Sequence, residues 1–241
     1  MSWHYPYPDL IQGTLVKRYK RFLADIVLDS GETVTAHCPN TGPMTGVSQV
    51  GSAVLLSQSD NPKRKLAYTW EAIQTAGVWV GVNTALPNRV VKSALTARVI
   101  DALGAYDKVQ SEVPYGEDRK SRVDFLLTAA GQPPAYVEVK NTTWTDKDRG
   151  KGAIALFPDT VTTRGQKHLR ELTRLLPETR AVMLYFINRE DCTQFSPGDT
   201  ADPEYGKLLR AGVDQGLEVL PCRFEVTPSG IRYLGLAELA L

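Results

Sequence analysis

The sequence predicts an α/β protein of the α+β type in two parts, an N-terminal β-barrel over residues 1–82 and a mixed-sheet domain over residues 83–241. The first part contains short strand-like runs separated by turn residues and no convincing helical pattern. Beyond residue 87, segments with helical spacing alternate with strand-like runs. The chain of 241 residues, 42% of them hydrophobic, can bury the core of one large domain or of two small ones.

Five short strands are predicted in the first part, at residues 23–28, 33–37, 54–57, 68–74 and 78–82. Residues 29–32, Asp-Ser-Gly-Glu, form the turn signal of a hairpin between the first two strands. Residues 38–46 contain too many Pro, Gly and Asn residues for regular structure. A barrel of about five short strands is typical of the OB fold, which commonly binds single-stranded nucleic acid.

The second part begins with a predicted helix that has Asn88 as its N-cap and ends before Gly104. The remaining predicted elements are, in chain order, a strand at 109–115, the two strands of a hairpin, a helix from Thr163, a strand at 181–187, a helix at 203–215, and strands at 217–226 and 231–236. The run at 181–187 is wholly apolar, as expected of a strand buried on both faces. As far as residue 187, the element order of this part is αβββαβ.

The hairpin in the middle of the second part carries charged residues where apolar ones are expected. Asp124 precedes Phe125 in its first strand, and Glu138 and Lys140 flank Val139 in its second. Side chains alternate between the two faces of a strand, so Glu138 and Lys140 point to the same side. A hairpin that brings Asp124 beside Glu138 gathers two carboxylates and one ammonium group.

This set of groups suits Mg²⁺ or Mn²⁺. Mg²⁺ keeps several waters, takes one or two protein carboxylates and completes its shell with substrate phosphate. We therefore expect Asp124, Glu138 and Lys140 to be catalytic, with both carboxylates on the metal and the lysine beside its bound water. The alternative is a solvated salt bridge, which is common for Glu-x-Lys on a half-exposed strand.

An Asp followed after a gap by Glu-x-Lys resembles the PD-(D/E)xK nuclease core, with Val123 where that motif has Pro. The resemblance implies an αβββαβ nuclease-like domain with a mixed sheet. Many relatives of this core place a Glu on the first helix, whereas the first helix here offers only Asp101 near its far end. Glu112 is the candidate that takes the place of this helix Glu as a third metal ligand.

Clusters of cations mark possible nucleic-acid contacts, although the formal net charge is only +1. The barrel clusters, which are interleaved with or followed by aromatic residues, are Lys17, Arg18, Lys20 and Arg21, and Lys63, Arg64 and Lys65. The helix from Thr163 adds Arg164, Lys167 and His168 on a basic side, where His168 could also act as a general acid. The alternatives are a solvated face for the cations and a packing role for His168.

Several classes of protein are disfavoured. The sequence has no run of about 18 apolar residues and no basic start followed by an apolar segment, which argues against membrane insertion and secretion. Cys38, Cys192 and Cys222 are odd in number and scattered, which indicates reduced thiols and a cytoplasmic protein. A zinc site built on His37 and Cys38 is an alternative, but adjacent strand residues face opposite ways. No obligatory protein partner is evident.

Seven strings carry a resemblance to a known family. They are, in chain order, KRYKRFLAD, HCPNTGPMTG, SDNPKRK, SRVDF, YVEVKN, FPD and TRGQKHLREL. Their order and intervals resemble the bacterial sugar fermentation stimulation protein A family over nearly the whole chain. The resemblance implies an N-terminal OB-type domain, a C-terminal nuclease-like domain and a DNA-binding role tied to sugar-utilisation genes.

Two classes of function follow from these observations. The first is a magnesium-dependent nuclease acting on DNA with single-stranded or branched character. The second is a DNA-binding regulator of sugar (maltose) metabolism genes whose nuclease fold is catalytically silent. The two carboxylates beside Lys140 favour the first, because pure binding has no use for acids that repel phosphate. A third, an enzyme acting on a phosphorylated sugar, is suggested only by the family's name.

Overall fold

The structure, a computed structural model, describes residues 3–116, 121–146 and 152–241. The strands within these ranges are β1 (His4–Pro6), β2 (Leu10–Tyr19), β3 (Leu23–Leu28), β4 (Thr33–His37), β5 (Ala53–Gln58), β6 (Tyr68–Thr75), β7 (Val78–Gly81), β8 (Lys108–Tyr115), β9 (Ser121–Thr128), β10 (Ala135–Thr142), β11 (Trp144–Asp146), β12 (Ala153–Phe157), β13 (Arg180–Ile187), β14 (Cys192–Pro197), β15 (Glu218–Thr227), β16 (Gly230–Leu236) and β17 (Glu238–Leu239). The helices are α1 (Pro87–Thr96), α2 (Thr163–Thr173) and α3 (Pro203–Asp214), with a short 3₁₀ helix at Asp101–Leu103.

Strands β2 to β6 form a closed five-stranded barrel, which confirms the predicted OB-type fold. β2 pairs antiparallel with β3 and β5, β3 pairs with β4, and β5 pairs with β6. The parallel pairing of β4 with β6 closes the barrel. The first barrel strand, β2, was not predicted because its second half coincides with the Lys17 to Arg21 charge cluster. Its Leu15 is nevertheless buried in the barrel core.

The second part contains the predicted mixed sheet. β8, β9 and β10 are antiparallel neighbours, and β10, β13 and β15 are parallel neighbours. Helix α1 packs on one face of this sheet through Val91 and Leu95, and helices α2 and α3 pack on the other through Leu172 and Leu209. Residues 181–187 of β13 are buried throughout, as predicted, because helices cover both faces.

The barrel strands and the second sheet are hydrogen-bonded into one continuous sheet through β7, which pairs with both β6 and β15. The division of the chain at residue 82 stays a prediction. A separate four-stranded sheet, in the order β11, β12, β14 and β17, was not predicted. Two of its strands are only two or three residues long, so they carry almost no alternating pattern.

The first helix differs from its prediction at both ends. Asn88 is not the N-cap, because α1 begins at Pro87 and its cap residue, Leu86, makes no side-chain capping bond. The helix stops at Thr96, after which Arg98 takes a left-handed conformation with φ 56° and Val99 N–H donates back to Ala94 O at 3.1 Å.

The last helix matches its prediction. The side chain of Asp202 accepts a hydrogen bond from Tyr205 N at 3.1 Å and caps α3, and Gln215 is the C-cap residue. Gly216 follows with φ 102°, a conformation that favours glycine. In the described ranges, no helix combines the length and the apolar character needed to cross a bilayer.

Candidate active site

The site begins where the central hairpin stops pairing. The β9–β10 ladder runs from Leu127 and Ala135 to Phe125 and Val137 and ends there. At the next position the side chain of Asp124 replaces the backbone partner, because its Oδ2 accepts the hydrogen bond of Val139 N at 2.7 Å. The Asp124 carboxylate is therefore fixed against the second strand of the hairpin, as the sequence predicted.

Asp124 is held by a second donor from the first helix. Asn88 Nδ2 donates to Asp124 Oδ1 at 2.7 Å. Burial and the neighbouring charge of Glu138 raise the pKa of Asp124 from 3.8 to about 6, although the hydrogen bonds from Val139 and Asn88 act in the opposite direction. A cation bound between the carboxylates would relieve this repulsion.

Glu138 and Lys140 lie side by side on one face of β10, as their spacing predicted. Lys140 Nζ donates to Glu138 Oε1 at 2.7 Å, and His168 Nδ1 makes a short hydrogen bond to the same oxygen. Glu138 is only 3% exposed. Burial alone would raise the pKa of Glu138, but the hydrogen bond from His168 and the charge of Lys140 outweigh it and hold the pKa below its usual range. Glu138 therefore ionises at a lower pH than Asp124.

The other oxygen of Glu138 is buried without a hydrogen-bond partner among the described residues. A buried carboxylate oxygen left in this way is unusual, since buried polar atoms are normally paired with protein, water or an ion. The orientation of the side chain explains how this arises. Lys140 and His168 both bind Oε1, which leaves Oε2 as the open ligand position.

Helix α2 contributes His168 to the site. The ring is buried, and Arg164 Nε donates to His168 Nε2 at 3.5 Å. Because the ionised Glu138 carboxylate can only accept, Nδ1 is the donor in its hydrogen bond with Glu138. His168 is thus directed to the carboxylate rather than to the surface. Lys167, on the exposed side of α2, lies 3.4 Å from Glu171 Oε1.

Glu112 does not join this group. It is exposed on β8 with φ 55°, and its carbonyl accepts a hydrogen bond from Arg122 at 3.0 Å. Among the residues that the structure describes, no three His, Cys, Asp or Glu side chains are arranged to hold a metal ion. Asp101 is exposed on the 3₁₀ helix beyond α1. The structure therefore gathers two of the predicted metal ligands, Asp124 and Glu138, and leaves Glu112 outside.

The first cation cluster has members with different roles. Arg18 is half-buried, and its Nη2 donates to the carbonyl oxygens of Arg21, Asn40 and Gly42, each at 2.9 Å. Arg21 Nε donates to Thr41 O at 2.8 Å. These two arginines tie the irregular segment at 39–42 to the barrel. Lys17 is exposed over the ring of Tyr19 at 4.8 Å, and Lys20 is exposed at the β2–β3 turn.

The second cation cluster lies in the loop between β5 and β6. Lys63, Arg64 and Lys65 are all exposed there, and Arg64 Nη2 donates to Thr69 Oγ1 at 2.6 Å. This loop joins the fourth and fifth barrel strands, and the turn with Lys20 joins the first and second. In OB folds these two connections are the ones that contact oligonucleotides.

The alternative zinc site finds no support. Cys38 is fully buried, burial raises the pKa of its thiol, and its Sγ donates to Asn40 O at 3.3 Å. His37, its neighbour, is on the barrel strand β4 and only half-buried. All three cysteines are buried and free.

Two residues near the site were not predicted. Asn88 was interpreted as a helix cap, and Glu171 on α2 was not singled out. Glu171 Oε2 is buried without a described partner, as is the hydroxyl of Tyr115, whose pKa is raised by burial and by the charges of Glu138 and Glu171. The position of Glu171, three residues after His168, was the available signal, because residues three apart share a helix face.

The fold and the site together define a class: a two-part α+β protein that joins an OB-type barrel to a mixed-sheet domain with paired carboxylates and a lysine on its central hairpin. The chain matches the family model described as SfsA N-terminal OB domain over residues 16–82. It matches the Sugar fermentation stimulation protein RE domain over residues 85–230. The chain belongs to the sugar fermentation stimulation protein family.

Curated relatives agree over the full length. The chain is 66% identical to the sugar fermentation stimulation protein homolog of Cyanothece sp. over 243 residues, covering 100% of this chain and 99% of the relative. It is 67% identical to the homolog of Nostoc sp. over 244 residues, with the same coverage. The solved structure of Pyrococcus furiosus SfsA in complex with Ca²⁺ superposes with a TM-score of 0.86 at 20% identity, covering 100% of both chains. That likeness confirms the fold.

Proposed function

We propose that this protein is a magnesium-dependent deoxyribonuclease that uses Asp124, Glu138 and Lys140. The observation that carries the proposal is the orientation of Glu138: Lys140 binds one carboxylate oxygen at 2.7 Å, and the other is buried without a described partner. A salt bridge that served only stability would not require a second, half-buried carboxylate, Asp124, whose pKa is raised by burial and by Glu138.

The residues present fit a hard divalent cation. Asp124 and Glu138 offer carboxylate oxygens, and Mg²⁺ commonly takes only one or two such ligands and keeps its waters. Glu138 Oε2 has its full accepting capacity free among the described groups. The Pyrococcus furiosus relative was solved in complex with Ca²⁺, another hard cation, which supports a divalent-ion site in this fold. Mn²⁺ is the expected substitute for Mg²⁺.

The metal, when bound, polarises the scissile phosphate and lowers the pKa of a coordinated water. The protein's own groups do the positioning. Asn88 and the Val139 amide fix Asp124, and His168 holds Glu138 through Oε1. Lys140 carries its ammonium group next to Glu138, where it can orient the attacking water and stabilise the negative charge that develops on the phosphate.

The barrel supplies the surface that we assign to DNA. Lys20 in the turn between the first two barrel strands, and Lys63 and Lys65 in the loop between the last two, are exposed cations on the connections that bind oligonucleotides in other OB folds. Arg164 and Lys167 are further exposed cations, on α2 beside His168. Phosphate contacts of this kind give affinity without sequence preference.

A DNA-binding regulator with a silent nuclease fold is the second candidate. The observation that favours it is the exposed position of Glu112, which leaves no described third acidic or histidine ligand beside Asp124 and Glu138. Two carboxylates hold Mg²⁺ weakly unless the phosphate of the substrate completes the shell.

The deciding experiment is incubation of end-labelled single-stranded, duplex and branched DNA with wild type, Asp124→Asn and Lys140→Ala in Mg²⁺, Mn²⁺ or EDTA. We expect metal-dependent cleavage by wild type and none by either variant. The variants, purified identically, exclude a contaminating nuclease. Wild type that binds all three substrates and cuts none in either metal would replace this proposal with the silent regulator.

A further inference from the structure

A polar pocket lies where the barrel meets the first helix, apart from the carboxylate pair. It has a volume of ≈ 390 Å³ and is bounded by the segment around β1, by strands β4 to β6 and by the start of α1. Pockets that bind small molecules span about 300–1,000 Å³. We call it the junction pocket and define it by Tyr5, Tyr7, His37, Arg64, Glu71 and Arg89.

The floor of the junction pocket is a buried carboxylate on a β-bulge. Leu56 pairs with Trp70 and Leu55 pairs with Ala72, so Glu71 is the extra residue of β6. It is 7% exposed. Its Oε1 accepts from Ser57 Oγ at 2.6 Å and its Oε2 from Asn83 Nδ2 at 2.7 Å. Each oxygen can accept a further hydrogen bond, so this carboxylate has spare accepting capacity toward the pocket.

The rim of the junction pocket is cationic. Arg64 from the β5–β6 loop and Arg89 from the first turn of α1 are both exposed, and both line the pocket. Arg64 is positioned by its hydrogen bond to Thr69 Oγ1 at 2.6 Å. Two guanidinium groups at one opening select an anion, and the fork of donors on each matches a phosphate.

The wall formed by the N-terminal segment is aromatic. Tyr5 and Tyr7 line the junction pocket, and the hydroxyl of Tyr7 is buried with no hydrogen-bond partner among the described residues. Burial and the charge of Glu71 raise the pKa of Tyr7, which keeps its hydroxyl hydrogen available for donation. A buried hydroxyl without a partner requires an explanation, and a polar ligand in the pocket provides one.

We propose that the junction pocket binds one nucleotide of a DNA strand, with the phosphate at Arg64 and Arg89 and the base between the tyrosine rings and Glu71. An anion site alone would not need a buried acceptor carboxylate, and a purely apolar ring site would not need two arginines. A ligand that combines a phosphate, a ring and N–H donors matches the two arginines, the tyrosine rings and the Glu71 carboxylate. Stacking on aromatic side chains is how single strands are held without sequence readout.

This inference rests on the proposed function and deepens it. Arg89 follows Asn88, whose side chain binds Asp124, so the junction pocket lies next to the cleavage site along α1. A nucleotide can enter the pocket only if its base is unpaired. The pocket therefore selects single-stranded or frayed DNA, with the cut made at a neighbouring phosphate.

The test uses metal-free protein in EDTA, titrated calorimetrically with the four deoxynucleoside 5′-monophosphates, deoxyribose 5-phosphate and inorganic phosphate. We expect at least one nucleotide to bind more tightly than both base-free probes. Arg64→Gln and Arg89→Gln should each weaken it about tenfold or more. The matched control is Arg174→Gln, an exposed arginine at the end of α2. Tyr7→Phe should weaken nucleotide binding while thermal stability is kept, because the lost hydroxyl has no described partner.

Three results would overturn the assignment: no nucleotide binding, equal binding of deoxyribose 5-phosphate, or arginine variants that bind like Arg174→Gln. Because the titration requires neither metal nor cleavage, its outcome is independent of the nuclease assay. A protein that binds nucleotides here and never cuts DNA leaves this inference standing. One that cuts DNA and binds no nucleotide contradicts this inference alone.

Discussion

Asn88 donates a hydrogen bond of 2.7 Å to Asp124 Oδ1 across 36 positions of sequence. The first helix of the second part therefore contributes an amide to the carboxylate pair, whereas the resemblance to the PD-(D/E)xK core implied a Glu on this helix. An amide donor fixes the orientation of Asp124 but adds no charge. Among the described residues, this contact leaves Asp124 and Glu138 as the facing carboxylates.

Replacing the amide by an acid should convert the site to three carboxylates. In Asn88→Asp, the new charge faces Asp124 without a donor between them, so we expect a loss of about 1–3 kcal/mol of stability without metal. Added Mg²⁺ should stabilise this variant more than it stabilises wild type. Thermal unfolding with and without Mg²⁺ measures both effects, with Asn88→Ala as the control that removes the amide without adding charge. A variant as stable as wild type in EDTA would argue against the contact.

The placement of the three side chains on the hairpin could be predicted from the sequence, for a physical reason. Strand alternation requires Glu138 and Lys140 to share a face, and the turn between the two strands brings Asp124 to their level. The Asn88 contact could not be predicted from the sequence, because no local feature at the start of a helix specifies a partner on a distant strand. Arg18 illustrates a different limit. In a run of charges, an arginine that binds three carbonyl oxygens has the same sequence signature as one exposed to solvent.

The stabilities of alanine variants at Arg18 and at its neighbour Lys17 should distinguish a structural cation from a surface cation. Arg18→Ala removes the charged donor of three carbonyl oxygens, so we expect a loss of about 2–4 kcal/mol. Lys17 is exposed, and Lys17→Ala should change stability by no more than about 0.5 kcal/mol. Urea unfolding of the two variants makes the comparison. Equal stabilities would mean that Arg18 does not hold the 39–42 segment.

Metal binding should depend on pH through Asp124. Its pKa is raised by burial and by Glu138 from 3.8 to about 6, so the metal-free protein loses stability as pH rises through this range and Asp124 ionises. Mg²⁺ requires the ionised form. Mg²⁺ at a concentration one hundred times its dissociation constant stabilises the folded protein by about 2.7 kcal/mol. Each kcal/mol of added stability raises Tm by about 2–4 °C for a chain of this size.

We therefore expect Mg²⁺ to raise Tm clearly at pH 7.5 and much less at pH 5. Differential scanning fluorimetry at both pH values, in matched ionic strength, measures this. Glu138→Gln should abolish the Mg²⁺ shift, and Glu112→Gln should keep it, because the Glu112 side chain is exposed and belongs to no group of described residues that could hold a metal ion. A shift that is equal at both pH values would mean that Asp124 does not bind the metal.

DNA affinity should fall as the salt concentration rises. The steepness of that fall should increase with the number of phosphates that the barrel loops contact. For single strands, each contact contributes a slope of about 0.7 in log K against log salt. The triple variant Lys20→Gln, Lys63→Gln, Lys65→Gln should reduce the slope by up to about 2. The matched control carries the same change at the exposed Lys92, Lys108 and Lys207. Fluorescence anisotropy at several salt concentrations gives the slopes. If both triples keep the wild-type slope, the barrel loops are not the DNA surface.

The central claim is that Lys140 acts in cleavage and not in binding. It donates to Glu138 at 2.7 Å, and its side chain is 13% exposed. The most direct measurement compares the single-turnover cleavage rate of wild type with that of Lys140→Ala, on the same single-stranded oligonucleotide in Mg²⁺ with protein in saturating excess. DNA affinity is measured in parallel in Ca²⁺. We expect a rate at least about 100-fold lower with affinity within about twofold. Lys140→Ala that cleaves at the wild-type rate would contradict the assignment of this site.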